Sequence, residues 1–312
     1  AGMLVGMALF SGGLLLVLIW PTYPALFAAL VISGISRIVF DPAMQAYLGD
    51  RIPYERRGLA LGLTELSWST AYLLGMPVVG WLMARAGWRS PFAALALLGL
   101  GMALALWRVV PADHPDGDDP PSVWAGVRVV AAHSQAVAGL AFILLICTSV
   151  EIVSIVYGAW LEGSFGVALT GLGAASAVIG VAELGGEGLV VGLVDRVGKR
   201  RAVAGGAGLF ALACAALPLL GRSLPGAIGS LFLFAIAFEF ALVSSIPLMT
   251  ELVPRARAAM MSANVAAVSA GHMLGAMIGP LLFHTGIAAN GAAAAALALL
   301  GLMALLLFVR TE

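Results

Sequence analysis

The sequence predicts an all-α, polytopic membrane protein of about ten spans. Three observations carry that prediction. The chain has 312 residues, 62% hydrophobic and 10% charged, whereas a soluble domain carries about 25% charged residues. Its mean hydropathy is +1.05. The apolar residues come in blocks of roughly 20, the length a helix needs to cross about 30 Å of hydrocarbon. They do not form the short alternating segments of a membrane barrel.

The candidate spans lie at about 1–20, 24–49, 60–84, 90–110, 135–160, 168–193, 202–221, 225–249, 260–283 and 287–309. The second and sixth carry internal charges and so rest less on hydropathy alone. The stretch PADHPDGDDPPSVW (111–124) holds four prolines and four aspartates, a composition no buried helix accommodates. It reads as a linker. The chain then divides into a four-span half at 1–110, a cytoplasmic linker at 111–130 and a six-span half at 131–312. The first residue, Ala1, already lies inside an apolar block with no charged leader, so the sequence reads as starting partway through a protein.

Lysine and arginine set the orientation. One set of loops, with the C-terminal end, holds Arg51, Arg56, Arg57, Arg108, Arg128, Arg196, Lys199, Arg200, Arg201, Arg255, Arg257 and Arg310, which is twelve. The opposite loops hold three, Arg85, Arg89 and Arg222. The twelve mark the cytoplasmic side, and the C-terminus falls there. The formal net charge is zero, which gives no reason to expect nucleic acid as a partner. Cys147 and Cys214 each lie deep in an apolar block, without CxxC or metal-ligand spacing. They read as packing residues, and no metal or cofactor is expected. Trp20, Tyr23, Trp88 and Trp160 fall at span ends, as interfacial aromatic belts do. Trp68, Tyr72 and Phe238 are candidates to line a cavity.

One polar hairpin stands out. GLVDRVGKRR (192–201) places Asp195, Arg196, Lys199, Arg200 and Arg201 within seven residues between two apolar runs. Topology alone would account for the cations, but not for Asp195, the glycines or their order. The pattern at Asp195, Arg196, Gly198, Lys199 and Arg200 resembles the signature loop of the major facilitator superfamily. It departs at the leading glycine, which the pattern wants at Val191 and which this chain has at Gly192. Arg37 resembles the family's arginine in the fourth helix, although Phe40-Asp41 replaces the usual Gln-Gly. YERRGLALG (54–62) and AGWRSPF (86–92) resemble the turns before the fifth and sixth helices. GMPVVG (75–80) is a partial match to the glycine-proline motif of drug/proton antiporters, and GHMLGAMIGPLL (271–282) a fuller one. The resemblance runs in order across the chain. It implies a two-half bundle whose ten spans correspond to helices three to twelve, with the first two helices missing.

Each motif has a physical reading. Asp195 can accept from the amides that open the next helix or pair with an arginine, and Gly198 permits a backbone conformation unfavourable to other residues. The loop either fixes topology alone or also latches the cytoplasmic side, as the resemblance implies. Gly271, Gly275 and Gly279 recur every four residues and line one helical face, where small residues let helices approach. Pro280 then weakens the helix. Tight packing and a bendable face, with Gly75, Pro77 and Gly80 as a partial copy, both remain open.

Ionisable groups within a membrane are functional candidates by default. Arg37 and Asp41 are four apart and can pair as a brace or a gate, and Asp41-Pro42 marks an expected break in the helix. Glu151 and Glu239 lie midway along their spans with no cation near in sequence. Glu183 and Glu187 share a helical face, His272 lies in the glycine-rich span, and Glu65 lies nearer the cytoplasmic end of its own. A carboxyl group exposed in turn to two sides can take up and release a proton. Each of these groups can instead be a neutralised brace, and His272 a packing residue. No HExxH, nucleophile–base pair or nucleotide loop is present, so an intramembrane enzyme is not expected. The sequence predicts a secondary active transporter of a small molecule in the bacterial inner membrane, monomeric and coupled to protons. Substrate is expected near the midplane between the halves, with export favoured over uptake. A membrane receptor of the same fold is the alternative class.

Overall fold

The computed structural model describes residues 2–51, 70–110, 123–253 and 256–309. Among these residues every regular element is helical. In chain order they are α1 (Gly2–Ile19), α2 (Tyr23–Arg51), a π-turn at Ala71–Gly75 that runs into α3 (Met76–Ala86), α4 (Ser90–Val109), α5 (Val123–Ala132), α6 (Ser134–Ser154), α7 (Tyr157–Phe165), α8 (Leu169–Val197), α9 (Lys199–Leu220), α10 (Leu224–Leu252), α11 (Arg257–Phe283) and α12 (Ile287–Phe308). Helices α6 and α7 together form one span, Ser134–Phe165. Nine spans among the described residues are long and apolar enough to cross a membrane, and a shorter apolar helix covers Ala71–Ala86. The start of the expected span at 60–84 lies outside the described residues, and Glu65 and Trp68 lie there too. The protein is an all-helical polytopic membrane protein.

The chain forms two compact units, Ala1–Asp118 and Asp119–Glu312. In the first, α1 packs against α2 and α4, and the buried Ser36 hydroxyl donates to the Gly6 carbonyl at 2.8 Å. The expected break at Asp41-Pro42 is absent: α2 runs through it to Arg51. Pro42 removes one amide donor, to the Ile38 carbonyl, and a membrane helix tolerates a single such loss when its surroundings compensate. At Pro77 the response differs. The π-turn at Ala71–Gly75 immediately precedes it, and widening that turn absorbs the clash of the proline ring with the preceding turn.

In the second unit α6 packs against α11 and α12, α9 against α10 and α12, and α8 against α10. Phe142, Ile146, Phe210 and Leu248 are fully enclosed between these helices. Leu209, Leu212 and Leu219 of α9 point outward, as side chains solvated by lipid do. Phe238 is buried against Phe210, with ring centroids 5.5 Å apart, in the core of this unit. Trp20, Tyr23 and Trp88 are exposed, but Trp160 is 3% exposed. The interfacial reading of Trp160 is therefore corrected. Its indole lies against Gly221, where an added Cβ would come within 2.4 Å of the ring.

The signature hairpin is one residue long. Helix α8 ends at Val197, α9 begins at Lys199, and Gly198 between them has φ +89° and ψ 138°. A Cβ is strained there whatever the space around it. Gly198→Ala is expected to cost at least about 1 kcal/mol, seen as a lower midpoint in a detergent thermal-shift assay. Asp195 lies in the last turn of α8, and its side chain is outside the described residues.

Candidate functional site

The site begins with the glycine face of α11. An added Cβ at Gly271 would lie 2.7 Å from the Cys147 Cβ, at Gly275 2.5 Å from the Glu151 Cβ, and at Gly279 2.5 Å from the Ile155 Cγ2. Both series step by four residues, so one helical row nests in the other. The Leu144, Thr148 and Ile152 carbonyl oxygens come within 2.7, 2.6 and 2.9 Å of the same three positions. No side chain fits between the helices there, and the stripe serves close packing of α11 on α6.

That approach brings together two groups 121 residues apart. His272 Nδ1 lies 2.9 Å from Glu151 Oε2. Either an Nδ1–H donates to the carboxylate, or a carboxyl O–H donates to the bare nitrogen. One proton can sit at either end of the bond. Both side chains stay reachable, at 41% and 21% exposure. A hydrogen bond between membrane helices contributes only about 0.6 kcal/mol on average. The glycine packing therefore holds the helices together, and the pair is not needed as glue.

The α6–α7 span breaks just beyond Glu151. The Ile155 amide still bonds back to Glu151 at 3.0 Å, but the Val156 amide bonds to Val153 at 3.1 Å. Asn290 of α12, fully buried, donates from Nδ2 to the Ile152 and Gly279 carbonyls, each at 2.8 Å. Ser149 donates to the Ala294 carbonyl at 2.6 Å, a second tie between α6 and α12.

Three further acids named from the sequence, Glu183, Glu187 and Glu239, lie on α8 and α10. Gly186 of α8 meets α10 at Glu239, where an added Cβ would lie 2.8 Å from the glutamate's own. Glu183 and Glu187 are part-buried and within electrostatic reach of each other. Tyr157, hydrogen-bonded to Ser176 at 2.7 Å, lies within reach of Glu183. The Cys147 thiol lies within reach of both Glu151 and Glu239. Cys147 thus links the Glu151–His272 pair to Glu239 of α10, and Gly186 brings α8, which carries Glu183 and Glu187, against α10 at Glu239.

The hairpin cations go elsewhere. Lys199 forms an ion pair with Glu251 at the end of α10. Arg200 Nη2 donates to the Leu306 carbonyl at 2.7 Å, in the last turn of α12, where terminal carbonyls lack helical partners and favour a cation. Arg196 is exposed. Exposed ion pairs contribute at most about 1 kcal/mol, so Lys199→Ala is expected to leave the thermal midpoint nearly unchanged. In the first unit Arg37 Nε lies 3.1 Å from Asp41 Oδ2, with the side chains 59% and 42% exposed. That pair realises the expected i,i+4 contact on α2. Among the described residues, Ala71 of the same helix, at 4.0 Å, is what an added Cβ at Gly75 would meet, and no described helix presses on Gly75 as α6 does on Gly275.

Sequence reading missed Glu251 and Asn290. Glu251 is signalled only by its place at a span end beside Pro254-Arg255, and Asn290 only as a lone amide in an alanine-rich span. Neither carries a local pattern that names its partner.

Comparison with known proteins matches this architecture. The sequence model of the Major Facilitator Superfamily matches residues 1–150 and 137–312. The uncharacterized MFS-type transporter YceJ of Bacillus subtilis (strain 168) is 24% identical over 294 residues, 91% of this chain and 72% of that protein. The uncharacterized MFS-type transporter YwfA of the same organism is 31% identical over 90 residues, and the match spans 29% of this chain and 22% of YwfA. The match to YcnB likewise spans 22% of that relative. Among solved structures, a peptide transporter, POT, superposes with a TM-score of 0.74 at 14% identity, covering 98% of this chain and 78% of the other. An inward-facing, unoccupied bacterial homolog of the human lysosomal transporter Spinster gives 0.71 at 16% identity, covering 98% and 80%. At these identities the superpositions establish the fold. With the family's sequence pattern matched over residues 1–150 and 137–312, the chain belongs to the Major Facilitator Superfamily.

Proposed function

We propose that this protein is a proton-coupled exporter of a small amphiphilic molecule, working by alternating access as a monomer in a bacterial plasma membrane with its C-terminus in the cytoplasm. The 2.9 Å hydrogen bond between Glu151 and His272 carries the reading. A carboxyl and an imidazole sharing one proton inside a membrane span can accept it from one side and release it to the other when access changes. Glu239, Glu183 and Glu187 then serve the substrate or proton pathway around that pair. Export is favoured over uptake by the resemblance of 75–80 and 271–282 to antiporter motifs. The hairpin cations act as a cytoplasmic latch through Lys199 and Glu251. Lys199→Ala with normal stability and slowed flux supports the latch, and normal flux leaves topology as the role of that cation.

The test is proton movement in proteoliposomes. Purified protein is given a preset pH gradient and challenged with a panel of amphiphilic compounds. Collapse of the gradient only when protein and compound are both present supports proton coupling, and the direction of flux separates export from uptake. No response from folded protein across a broad panel points to another coupling ion or to a receptor.

A further inference from the structure

We propose that Asn290 is the positioning residue of the Glu151–His272 pair, pinning the broken α6–α7 span to α11. Where the Val156 amide turns back to Val153, the Ile152 carbonyl loses its helical donor within the membrane. An unpaired carbonyl is costly there, because no water reaches it. Asn290 Nδ2 supplies the missing donor and spends its second N–H on Gly279. One amide therefore ties the residue next to Glu151 to a residue about two turns beyond His272. Gly275 sets how closely α11 approaches Glu151, and Asn290 sets the register of the two helices along their length.

The state of the amide supports a donor role over a packing role. Asn290 is 0% exposed, and its Oδ1 has no partner among the described residues. An apolar residue of similar volume would fill the site without burying an unsatisfied oxygen. That oxygen is a consequence of serving two carbonyls, because both N–H bonds point at them only when the oxygen points away. Around the pair, Cys147 of α6 and Glu239 of α10 are the nearby titratable groups. Helix α12 has none, α5 contributes Arg128, α11 also carries Arg257, and Glu251 of α10 is held by Lys199.

The inference rests on the proton-handling reading only in its transport arm. The full chain, labelled with 15N-histidine in lipid nanodiscs, shows the imidazole directly. The protein has four histidines, and His272→Gln assigns the resonance. In Asn290→Ala the His272 Nδ1 resonance is expected to move to the position seen in Glu151→Ala, where the bond cannot form. The pH dependence of flux is expected to change with it. Asn290→Asp, which fills the same volume but can donate to at most one carbonyl, is expected to lie between. A wild-type His272 resonance in folded Asn290→Ala overturns the inference. Failure of both variants to insert as monodisperse protein overturns it too, because Asn290 would then be a folding determinant. A displaced resonance with flux indifferent to pH leaves the pin standing and removes proton coupling instead.

Discussion

Glu151→Gln is expected to reduce proton-coupled flux to the level of protein-free liposomes while the protein inserts and folds normally. The glutamine side chain has nearly the same size and can still hydrogen-bond His272. It cannot ionise, so the pair can no longer load and release a proton. Little stability is at stake, since an average interhelical hydrogen bond in a membrane contributes about 0.6 kcal/mol and the glycine stripe holds the helices. The check has two parts: thermal midpoint in detergent, and substrate-driven collapse of a pH gradient. His272→Gln is expected to weaken coupling less severely, because Glu151 remains to carry the proton. Wild-type flux in Glu151→Gln would remove the pair from the coupling mechanism.

Gly275→Leu is expected to prevent accumulation of folded protein. The added Cβ alone would lie 2.5 Å from the Glu151 Cβ, 2.6 Å from the Thr148 oxygen and 3.1 Å from the Ile152 nitrogen. Two of those atoms are backbone, so α11 must move away from α6 by roughly an ångström or more to restore contact distances. Overpacking by a methylene or two costs about 1–3 kcal/mol, and a whole isobutyl group on a helix seam costs more. Folded proteins hold only about 5–15 kcal/mol in reserve. Gly205→Leu is the control: among the described residues nothing lies within 4 Å of its added Cβ, and a near-normal yield is expected. Size-exclusion profiles of the tagged protein before and after heating compare the two. Equal behaviour would mean that the α6–α11 seam does not depend on the glycine face.

The fold class and most of the spans were legible because the membrane imposes a local requirement. A run of about 20 apolar residues has few other uses, and lysine and arginine bias can be read loop by loop. The i,i+4 pairing of Arg37 with Asp41 and the need for glycine at 198 were legible for the same reason, since both follow from neighbours in the chain. Pro42 shows the limit of local rules. Its expected break did not form, while Pro77 follows a π-turn.

Which way a helix is turned was not legible. In lipid, an outward leucine and an inward leucine are equally apolar, so the sequence of a span hardly marks its buried face. Trp160 therefore read as interfacial and proved buried. The sequence by itself determined an all-helical membrane protein and supplied the acids, the histidine and the glycine stripe. Only the tertiary structure decided that Glu151 meets His272, that Lys199 meets Glu251 and that Asn290 serves a broken span. Those partners lie far apart in the chain, and their meeting depends on helix rotation and approach, which packing sets and hydropathy does not record.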